Sequence, residues 1–271
     1  MDFSEIGRRG LVLLGCGKMG SAMLQGWLAR GLAASSVWVL DPNPSDWVKS
    51  LDGLHLNETL PNDPAIVLIA VKPQMMGEAL PVLAALGNGT TLFLTVAAGT
   101  PISAYEAALG ARTPIIRAMP NTPAAIGKGI TALIGNSNST SAHMDLAETL
   151  VAAVGQTVRL DNEGQMDAVT AVSGSGPAYV FHLIETMAAA GQAQGLAPDL
   201  AMKLAKATVA GAGALAEAAD EGPDQLRVNV TSPGGTTAAA LQVLMDGDSG
   251  FPALLTRAVA AAADRSRELG K

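Results

Sequence analysis

The sequence predicts an α/β domain built on a doubly wound parallel sheet, followed by an all-helical domain. Over the first 160 residues, short apolar segments alternate with segments of helical periodicity, which is typical of strand–helix–strand units. From residue 161 onward no segment has the pattern of a strand, and glycine or proline ends most of the helical segments. We therefore predict two domains, 1–160 and 161–271.

Composition excludes several classes of protein. Hydrophobic residues make up 49% of the 271 residues, enough for a large core and an interface. The net charge of −7 argues against a nucleic-acid partner, which normally meets a basic patch. The single cysteine and the three scattered histidines predict no disulfide and no metal site. The apolar segments are too short or too interrupted for a signal peptide or a membrane span, so we expect a cytoplasmic protein with no membrane partner.

Seven segments of the first domain are predicted strands, and four between them are predicted helices. IVLIAV has the continuous apolar run of a strand that is buried on both faces. The strands are LVLLG (11–15), VWVL (37–40), IVLIAV (66–71), TLFLTV (91–96), PIIRAM (114–119), ITALIG (130–135) and QTVRL (156–160). The helices are 18–31, a segment from Pro73 onward, 102–110 and a segment around 140–153.

The second domain contains six predicted helices, at 163–172, 176–195, 197–219, 223–230, 235–247 and 251–269. They are rich in alanine and carry few charges. Such helices would expose more apolar surface than one subunit can bury, and large exposed apolar patches usually mark interfaces. We therefore predict self-association as a dimer through these helices.

The segment LLGCGKMG predicts a dinucleotide site. Its glycines, Gly15, Gly17 and Gly20, follow a predicted strand and open a predicted helix, the context in which this motif binds a pyrophosphate. Gly15 permits the tight turn, Gly17 allows the pyrophosphate to approach the backbone, and Gly20 allows close packing of helix on strand. The alternative is a glycine-rich turn without a ligand. The sequence thus predicts a Rossmann-like α/β N-terminal domain followed by an all-α C-terminal dimerisation domain.

Asp41 lies 21 residues after Gly20, directly after the second predicted strand. An acid at this position usually accepts hydrogen bonds from the adenosine ribose and repels a 2′-phosphate, which favours NAD(H). No arginine is close in sequence, but Asn43 and Ser45 are neutral groups that could bind a phosphate. Alternatively, Asp41 only starts a turn with Pro42.

Other segments end strands at the edge of the sheet where ligands bind in open α/β folds. Lys72 is placed to face the cofactor, although a solvated lysine before Pro73 is equally consistent. Asn121 and Thr122 could bind the nicotinamide amide, or could be turn residues alone. The segments are AVKPQ (70–74), VAAGT (96–100) and AMPNTPA (118–124). A further segment, AVSGSGPAYVF (171–181), is by itself best explained as a corner between two helices.

The segment VTSPGGTTAAALQVL in the second domain predicts an anion site. Gly234 and Gly235 precede a helix, where free N–H groups converge and the helix dipole attracts negative charge. Ser232, Thr236 and Thr237 add hydroxyl groups. The alternative is a helix N-cap formed by Ser232 or Thr236, which would explain one hydroxyl but not the whole cluster. The turn is therefore predicted to bind an anion.

Together these segments resemble the pyrroline-5-carboxylate reductase family. The likeness rests on LLGCGKMG, AVKPQ, RAMPNTPA, DAVTAVSGSGPAYVF and NVTSPGGTTAAALQVL, which occur in the family's order over nearly the whole chain. Residues 223–246 carry the family's most specific pattern. The resemblance implies reduction of L-1-pyrroline-5-carboxylate to L-proline, the final step of proline biosynthesis, with NAD(P)H. It also implies a helical domain that interlocks with a second subunit and a site assembled between subunits.

The resemblance assigns the site residue by residue. The pyrophosphate would contact Gly15, Cys16, Gly17, Lys18, Met19 and Gly20. Other cofactor contacts would be Asn57 near the adenosine half and Ala70, Val71, Lys72, Pro73, Ala98 and Asn229. The substrate carboxylate would contact Ser232, Gly234, Gly235 and Thr236. Thr237 would hydrogen-bond the ring nitrogen, and Glu163 would lie near the substrate.

Two departures from the family pattern concern the cofactor site. The family usually favours NADPH, and Asp41 is poorly suited to a 2′-phosphate, which leaves NAD(H) open. Many relatives have alanine at the position of Gly20, a change that we expect to alter little.

The mechanism that the resemblance implies is hydride transfer to the imine carbon. Thr237 could donate to the ring nitrogen or stabilise the iminium, and we predict that it is the catalytic residue. No paired acid and base are evident, so we expect the substrate to bind as the iminium or to take its proton from water. The rate would then come mainly from the orientation of two bound reactants.

Three other interpretations predict different sequence features. A β-hydroxyacid dehydrogenase would need a basic residue on its first long helix, and AVSGSGPAYVFHLIETM contains no lysine. A reductase of another cyclic imine differs only in the shape of its pocket. A nucleotide sensor without turnover would have no use for a second anion site.

Overall fold

The computed structural model of the chain describes residues 3–270. The chain forms two compact units. The first contains the residues up to Gly174 together with those from Ala263 on, and the second is Ser175–Ala262. Residues 161–174, which the sequence analysis placed in the helical domain, therefore group with the sheet. The physical reason is burial, since Met166 and Ala171 are fully buried.

The first unit is built on one sheet of eight strands, in the order β3-β2-β1-β4-β5-β6-β7-β8. Every neighbouring pair is parallel except β6 and β7. The strands are β1 (Leu11–Leu14), β2 (Val37–Leu40), β3 (His55–Leu56), β4 (Ile66–Ile69), β5 (Leu92–Thr95), β6 (Ile115–Met119), β7 (Gly129–Gly135) and β8 (Gly155–Arg159). All seven predicted strands are confirmed. β3 was not among the predicted strands, because it has two half-buried residues and no apolar run.

The register of the central strands places the candidate ligand loops at one edge of the sheet. Leu14, the last residue of β1, pairs with Leu40 on one side and with Ile69 on the other. The loops that begin at Gly15, Asp41 and Ala70 therefore leave the sheet at the same level. Strand order reverses at β1, and this is the point at which ligands bind in doubly wound sheets.

The helices of the first unit cover both faces of the sheet. They are α1 (Ser4–Arg9), α2 (Lys18–Ala29), α3 (Asp46–Lys49), α4 (Met76–Ala79), α5 (Ile102–Leu109), α6 (Ser141–Val151) and α7 (Met166–Val169). The single helix predicted from Pro73 onward is instead α4 between two 3₁₀ segments, Pro73–Met75 and Leu80–Leu86. Pro81 explains the break, because it has no N–H group and clashes with the preceding turn.

Two apolar layers form the core of the first unit. Alternate residues of β1 enter opposite layers, with Leu13 in one and Val12 in the other, as the two-residue period of a strand requires. Trp27 of α2 is fully buried, and its indole N–H donates to the carbonyl of Leu150 in α6 at 2.8 Å. Tyr105 of α5 is fully buried in the opposite layer.

Within residues 175–262, the regular elements of the second unit are all helices. Its helices are α8 (Gly176–Ala193), α9 (Pro198–Ala218), α10 (Pro223–Asn229), α11 (Thr236–Leu244) and the first part of α12 (Phe251–Leu269). These five predicted helices are confirmed. The sixth, 163–172, is instead a 3₁₀ turn, α7 and a π-helical turn at Thr170–Gly174. α8 and α9 pack through alanines, Ala188 against Ala201 and Ala205.

Large apolar side chains of the second unit remain exposed on the single chain. Among them are Phe181, Leu200, Leu204, Leu215, Val243 and Leu255. Apolar exposure on this scale is typical of a surface that another molecule covers. Among residues 3–270, no helix combines the length and the apolar character that crossing a bilayer requires.

Candidate functional site

The loop after β1 has the geometry of a dinucleotide-binding turn. Gly15 has a φ of +86°, and a Cβ there would lie 2.7 Å from Val71 Cγ1 and 3.1 Å from the Ala70 carbonyl oxygen. At Gly20 a Cβ would lie 2.4 Å from the Gly15 carbonyl oxygen. Both glycines are therefore required by close packing. The expectation that alanine at position 20 would alter little is wrong for this loop, because the backbone would have to shift.

Gly17 is glycine for a different reason. A Cβ on Gly17 would have no protein atom within 4 Å, and its φ of −71° suits any residue. Gly17 is the N-cap of α2, and no side chain caps this helix. The first N–H groups of α2 thus face an open space that a Cβ would enter. This arrangement fits a pyrophosphate, with Lys18 and Met19 in the first turn.

Asp41 connects the loops that follow β1 and β2. Its Oδ2 accepts the Cys16 N–H at 2.7 Å, and its Oδ1 accepts the Asn43 N–H at 2.8 Å. The side chain of Asn57, whose φ is +54°, donates to the Asp41 carbonyl and accepts the Asp41 N–H, both at 2.9 Å. Asp41 therefore starts the turn, as one alternative held, and also presents its carboxylate where the ribose is expected.

Two further side chains of this region have structural contacts. Ser45 is the N-cap of α3 and accepts the Val48 N–H at 3.3 Å, so the fold uses one of the two neutral groups proposed for a phosphate. The Cys16 thiol is buried and lies 3.5 Å from Ser21 Oγ. Burial raises the pKa of this thiol, which keeps it protonated and unreactive.

The segments after β4 and β5 lie at the same edge of the sheet. The Ala70 N–H donates to the Leu14 carbonyl at 2.8 Å, so the AVKPQ segment lies against the glycine loop. Lys72 and Pro73 are exposed. Ile69 pairs with Thr95, which brings the loop containing Ala98 beside Ala70.

The side chain of Asn121 is already engaged by the protein. Its Oδ1 accepts the Ile130 N–H at 3.0 Å, and its Nδ2 donates to Ser173 Oγ at 3.3 Å. Asn121 thus joins the end of β6 to the start of β7 and to the π-helical turn. A contact between Asn121 and the nicotinamide stays a prediction, for which one amide hydrogen remains.

Sequence reasoning missed Arg117, a buried arginine on β6 that pairs with Glu163. Arg117 is 6% exposed, and its Nη1 donates to Glu163 Oε1 at 2.8 Å. The same oxygen accepts the Ile102 N–H at 2.9 Å, at the start of α5. The signal in the sequence was the charged residue inside the apolar segment PIIRAM, because a charge within a buried strand requires a partner.

Next to this pair lies a buried hydroxyl pair. Arg117 is aligned with Thr95 of the neighbouring strand, and Thr95 Oγ1 lies 2.7 Å from the Tyr105 hydroxyl. Burial raises the pKa of Tyr105. Thr95 is the last residue of β5, so these polar groups lie just before the loop that contains Ala98.

Glu163 accepts two hydrogen bonds from the protein, from Arg117 and from the Ile102 N–H. Its placement near the substrate stays a prediction.

In the second unit, the turn before α11 is open as the anion-site prediction requires. Gly234 has a φ of +68° and no neighbour within 4 Å of a Cβ, and Gly235 is the N-cap of α11. No side chain caps this helix, so the N-cap alternative for Ser232 or Thr236 is wrong. Within residues 3–270, the hydroxyls of Ser232, Thr236 and Thr237 make no hydrogen bond to the protein.

Asn229, the last residue of α10, also belongs to the second unit. Its Oδ1 accepts from Gln225 Nε2 at 2.8 Å, and its amide nitrogen remains available as a donor. The predicted cofactor residues other than Asn229 lie in the first unit, and the predicted substrate turn lies in the second. Within the described chain no cluster of three or more potential metal ligands occurs.

Comparisons with known proteins match both halves of the chain. A family model described as pyrroline-5-carboxylate reductase dimerisation matches residues 163–269. A second, described as NADP oxidoreductase coenzyme F420-dependent, matches residues 10–99. The pyrroline-5-carboxylate reductase of Pseudomonas aeruginosa is 38% identical over 266 residues, covering 96% of this chain and 97% of its own. That of Synechocystis is 38% identical over 267 residues, covering 96% and 98%.

Solved structures show the same similarity in three dimensions. The pyrroline-5-carboxylate reductase of Coxiella burnetii superimposes with a TM-score of 0.90 at 32% identity, covering 97% of this chain and 99% of its own. The pyrroline carboxylate reductase of Plasmodium falciparum, solved with NADP bound, superimposes with a TM-score of 0.83 at 28% identity, covering 98% and 99%.

Proposed function

The chain belongs to the pyrroline-5-carboxylate reductase family, and we propose that it reduces L-1-pyrroline-5-carboxylate to L-proline with NAD(P)H, the final step of proline biosynthesis. One observation carries the proposal. Two helices that no side chain caps begin at turns where a glycine has open space beside it, one at the glycine loop before α2 and one at the hydroxyl-rich turn before α11. A dinucleotide pyrophosphate and a substrate carboxylate are the two anions that this reaction requires.

The cofactor site consists of the glycine loop and the loops beside it. The N–H groups at the start of α2 bind the pyrophosphate, with Gly17 leaving room for it. The carboxylate of Asp41 accepts from the adenosine ribose. When bound, the nicotinamide supplies a hydride. The resemblance points to NADP(H), and Asp41 keeps NAD(H) as the alternative.

The substrate site is the turn before α11. The N–H groups that follow Gly234 and the hydroxyls of Ser232 and Thr236 bind the carboxylate. Thr237 donates its hydroxyl hydrogen to the ring nitrogen, which makes the imine carbon more electrophilic. This hydroxyl has no partner among residues 3–270, so it can turn toward a ligand.

The proton on the ring nitrogen comes with the substrate or from water. Glu163 Oε1 already accepts from Arg117 and from the Ile102 N–H, so we give this carboxylate a structural part in the proposal and not that of the proton donor. The protein then contributes mainly the orientation of the two reactants, which can account for a large part of an enzymatic rate.

The dimerisation model matched by residues 163–269 supports self-association. We propose that the exposed apolar faces of α8, α9 and α12 form the dimer interface, and that the site is completed between subunits. Larger assemblies would add contacts between such dimers. The cytoplasmic location remains a prediction from the sequence.

The first experiment follows the oxidation of NADH and NADPH in parallel by absorbance, with pyrroline-5-carboxylate as substrate. Consumption of either cofactor with formation of proline supports the proposal. The ratio of the two kcat/KM values identifies the preferred cofactor. Cofactor binding without consumption would contradict it and would direct attention to other cyclic imines or to a nucleotide sensor.

Thr237 is tested with a matched pair of variants. Thr237→Ala removes the hydroxyl, while Thr237→Ser retains it. A hydrogen bond to a charged group contributes about 1.5–3 kcal/mol, so Thr237→Ala is expected to lower kcat/KM for the imine about 10- to 150-fold. Thr237→Ser should keep most of the activity, and both variants should bind NAD(P)H like the wild type. An unchanged kcat/KM in Thr237→Ala would remove this residue from the mechanism.

A further inference from the structure

The end of α12 packs against the loop that follows β5. A Cβ on Gly99 would lie 3.2 Å from Leu269 Cβ, and a Cβ on Gly270 would lie 2.8 Å from the Gly99 carbonyl oxygen. The Leu269 side chain itself is 60% exposed. The contact is therefore an approach of backbone to backbone, which small residues on both sides make possible.

The loop in this contact depends on its glycine. Gly99 is buried and has a φ of +76°, a conformation that L-residues rarely adopt. Ala97, two residues earlier, is 5% exposed. Between them lies Ala98, which is half-buried and is assigned to the cofactor site. The backbone around Ala98 is thus constrained from the side of α12.

A second contact fixes the same end of α12. Ser266 is 5% exposed, and its Oγ donates to Asp167 Oδ1 in α7 at 2.6 Å. A serine hydroxyl inside a helix commonly bonds the carbonyl four residues earlier, but this one reaches a residue 99 positions away. Ala263, one turn before Ser266 on the same face, is also buried.

The segment that receives Ser266 also contacts the other end of the loop. Glu163 lies one turn before Asp167 and accepts the Ile102 N–H at the start of α5. The loop between β5 and α5 therefore has a fixed point on each side of Ala98. One is the Ile102 N–H, and the other is the close contact of Gly99 with Gly270.

We propose that the last turn of α12 positions the dinucleotide site, and that Ser266 and Gly270 are positioning residues for the loop containing Ala98. They act through the backbone of residues 97–99 and do not touch the cofactor. The inference rests on the proposed function, since Ala98 has a role only in a protein that binds NAD(P)H.

The test measures cofactor affinity by calorimetry with NADH and with NADPH. Ser266→Ala removes the hydroxyl, and Gly270→Ala adds a methyl group 2.8 Å from the Gly99 oxygen. Each is expected to weaken the preferred cofactor about fivefold or more, the effect of one lost hydrogen bond or its equivalent. The KM for pyrroline-5-carboxylate should stay close to wild type, while the lost buried hydrogen bond or the overpacked contact should lower the Tm by a few degrees. Hydrogen exchange at the amides of residues 98–100 should become faster in the cofactor-free variants.

Two controls separate positioning from general destabilisation. Asp167→Asn retains an oxygen that can accept from Ser266 and should bind cofactor like the wild type, whereas Asp167→Ala should reproduce Ser266→Ala. Gly7→Ala adds a methyl group on α1 where no atom lies within 4 Å. It should leave the cofactor affinity unchanged, with a Tm that is level or slightly higher because alanine favours a helix.

Each result has a distinct meaning. If the wild type binds cofactor and Ser266→Ala and Gly270→Ala bind it equally well, the positioning role is wrong and the proposed function stands. A lower Tm with unchanged affinity also overturns the positioning role, because the contact would then be structural only. If the wild type binds neither dinucleotide, both the function and this inference are overturned.

Discussion

Gly17 and Gly15 provide a sharp test of the cofactor loop, because they are glycines for opposite reasons. The space beside Gly17 contains no protein atom within 4 Å, whereas a Cβ on Gly15 would meet Val71 at 2.7 Å. We predict that Gly17→Ala leaves the fold intact and weakens the dinucleotide, while Gly15→Ala destabilises the fold.

The magnitudes follow from the backbone. Alanine at Gly17 fits its φ of −71° and reduces the entropy of the unfolded chain, so stability should stay level or rise by up to about 1 kcal/mol. Alanine at Gly15 requires a left-handed conformation, which costs about 1–2 kcal/mol, and overpacks the contact with Val71, which costs about 1–3 kcal/mol. A total of about 2–5 kcal/mol should lower the Tm by about 4–20 °C.

Cofactor affinity should show the opposite order, with the larger loss in Gly17→Ala. The methyl group of Gly17→Ala enters the space where the pyrophosphate is expected to approach the backbone. An overpacking cost of about 1–3 kcal/mol corresponds to a Kd for NAD(P)H about 5- to 150-fold higher. Calorimetric titration gives the Kd, differential scanning fluorimetry gives the Tm, and Gly7→Ala is the matched control for an added methyl group.

The reasoning would be refuted if Gly17→Ala bound both dinucleotides as tightly as the wild type. The loop would then be a glycine-rich turn without a ligand, the alternative that the sequence left open. A fall in Tm as large as that of Gly15→Ala would also count against it, since the open space beside Gly17 would not exist.

Three other groups give testable expectations. Burial raises the pKa of Tyr105, so its contribution to stability is complete below the unfolded value near 10 and is lost as the pH rises through the folded value. Tyr105→Phe should cost about 1–2 kcal/mol at pH 7, because Thr95 Oγ1 then keeps only the Ala97 N–H as a partner. The variant should also lose less stability than the wild type at alkaline pH, as measured by urea titration. Burial lowers the pKa of His143, so the stability linked to it is complete above the unfolded value near 6.5 and is lost as the pH falls; His143→Gln should reduce the acid dependence of the urea midpoint. Glu163→Ala should cost about 2–4 kcal/mol, because it leaves Arg117 buried and unpaired. The cost is less than for a fully buried ion pair, since the Glu163 side chain is 32% exposed and water already weakens the pair. Adding Arg117→Met should recover part of the lost stability, and additive effects of the two substitutions would show that the residues are not coupled.

Most of the fold could be predicted, because the hydrophobic periodicity of the segments and the glycines and prolines at their ends were unambiguous. β4 is an unbroken apolar run, and α9 has helical spacing between Pro198 and the end of its alanine-rich segment. The predictions that failed concern short segments, or segments whose structure depends on residues distant in sequence. β3 is held by its pairing with β2, which no local pattern reveals. The segment after Pro73 is broken by a proline, and residues 161–174 join the sheet through burial that depends on tertiary structure.

The candidate site was predictable at positions where the backbone conformation requires a particular residue type. Gly15 and Gly234 have positive φ, and their sequence patterns predict turns that only glycine adopts easily. Contacts made by side chains distant in sequence were not predictable. Glu163 was assigned to the substrate, yet the protein already gives it two donors, from Arg117 and from Ile102. A motif transfers the identity of such a residue, and only the structure shows which of its atoms are already bonded.

Asp41 shows why two explanations of one residue need not exclude each other. Each carboxylate oxygen accepts one backbone N–H, from Cys16 and from Asn43, so the fold determines where the negative charge lies. Each oxygen also keeps a lone pair for a ribose hydroxyl. The charge that stabilises the turn is therefore the same charge that would repel a 2′-phosphate, and the turn fixes its position before any cofactor arrives. With Ser45 already capping α3, discrimination between NADH and NADPH should depend mainly on Asp41, and a variant that relaxes this preference should also loosen the turn.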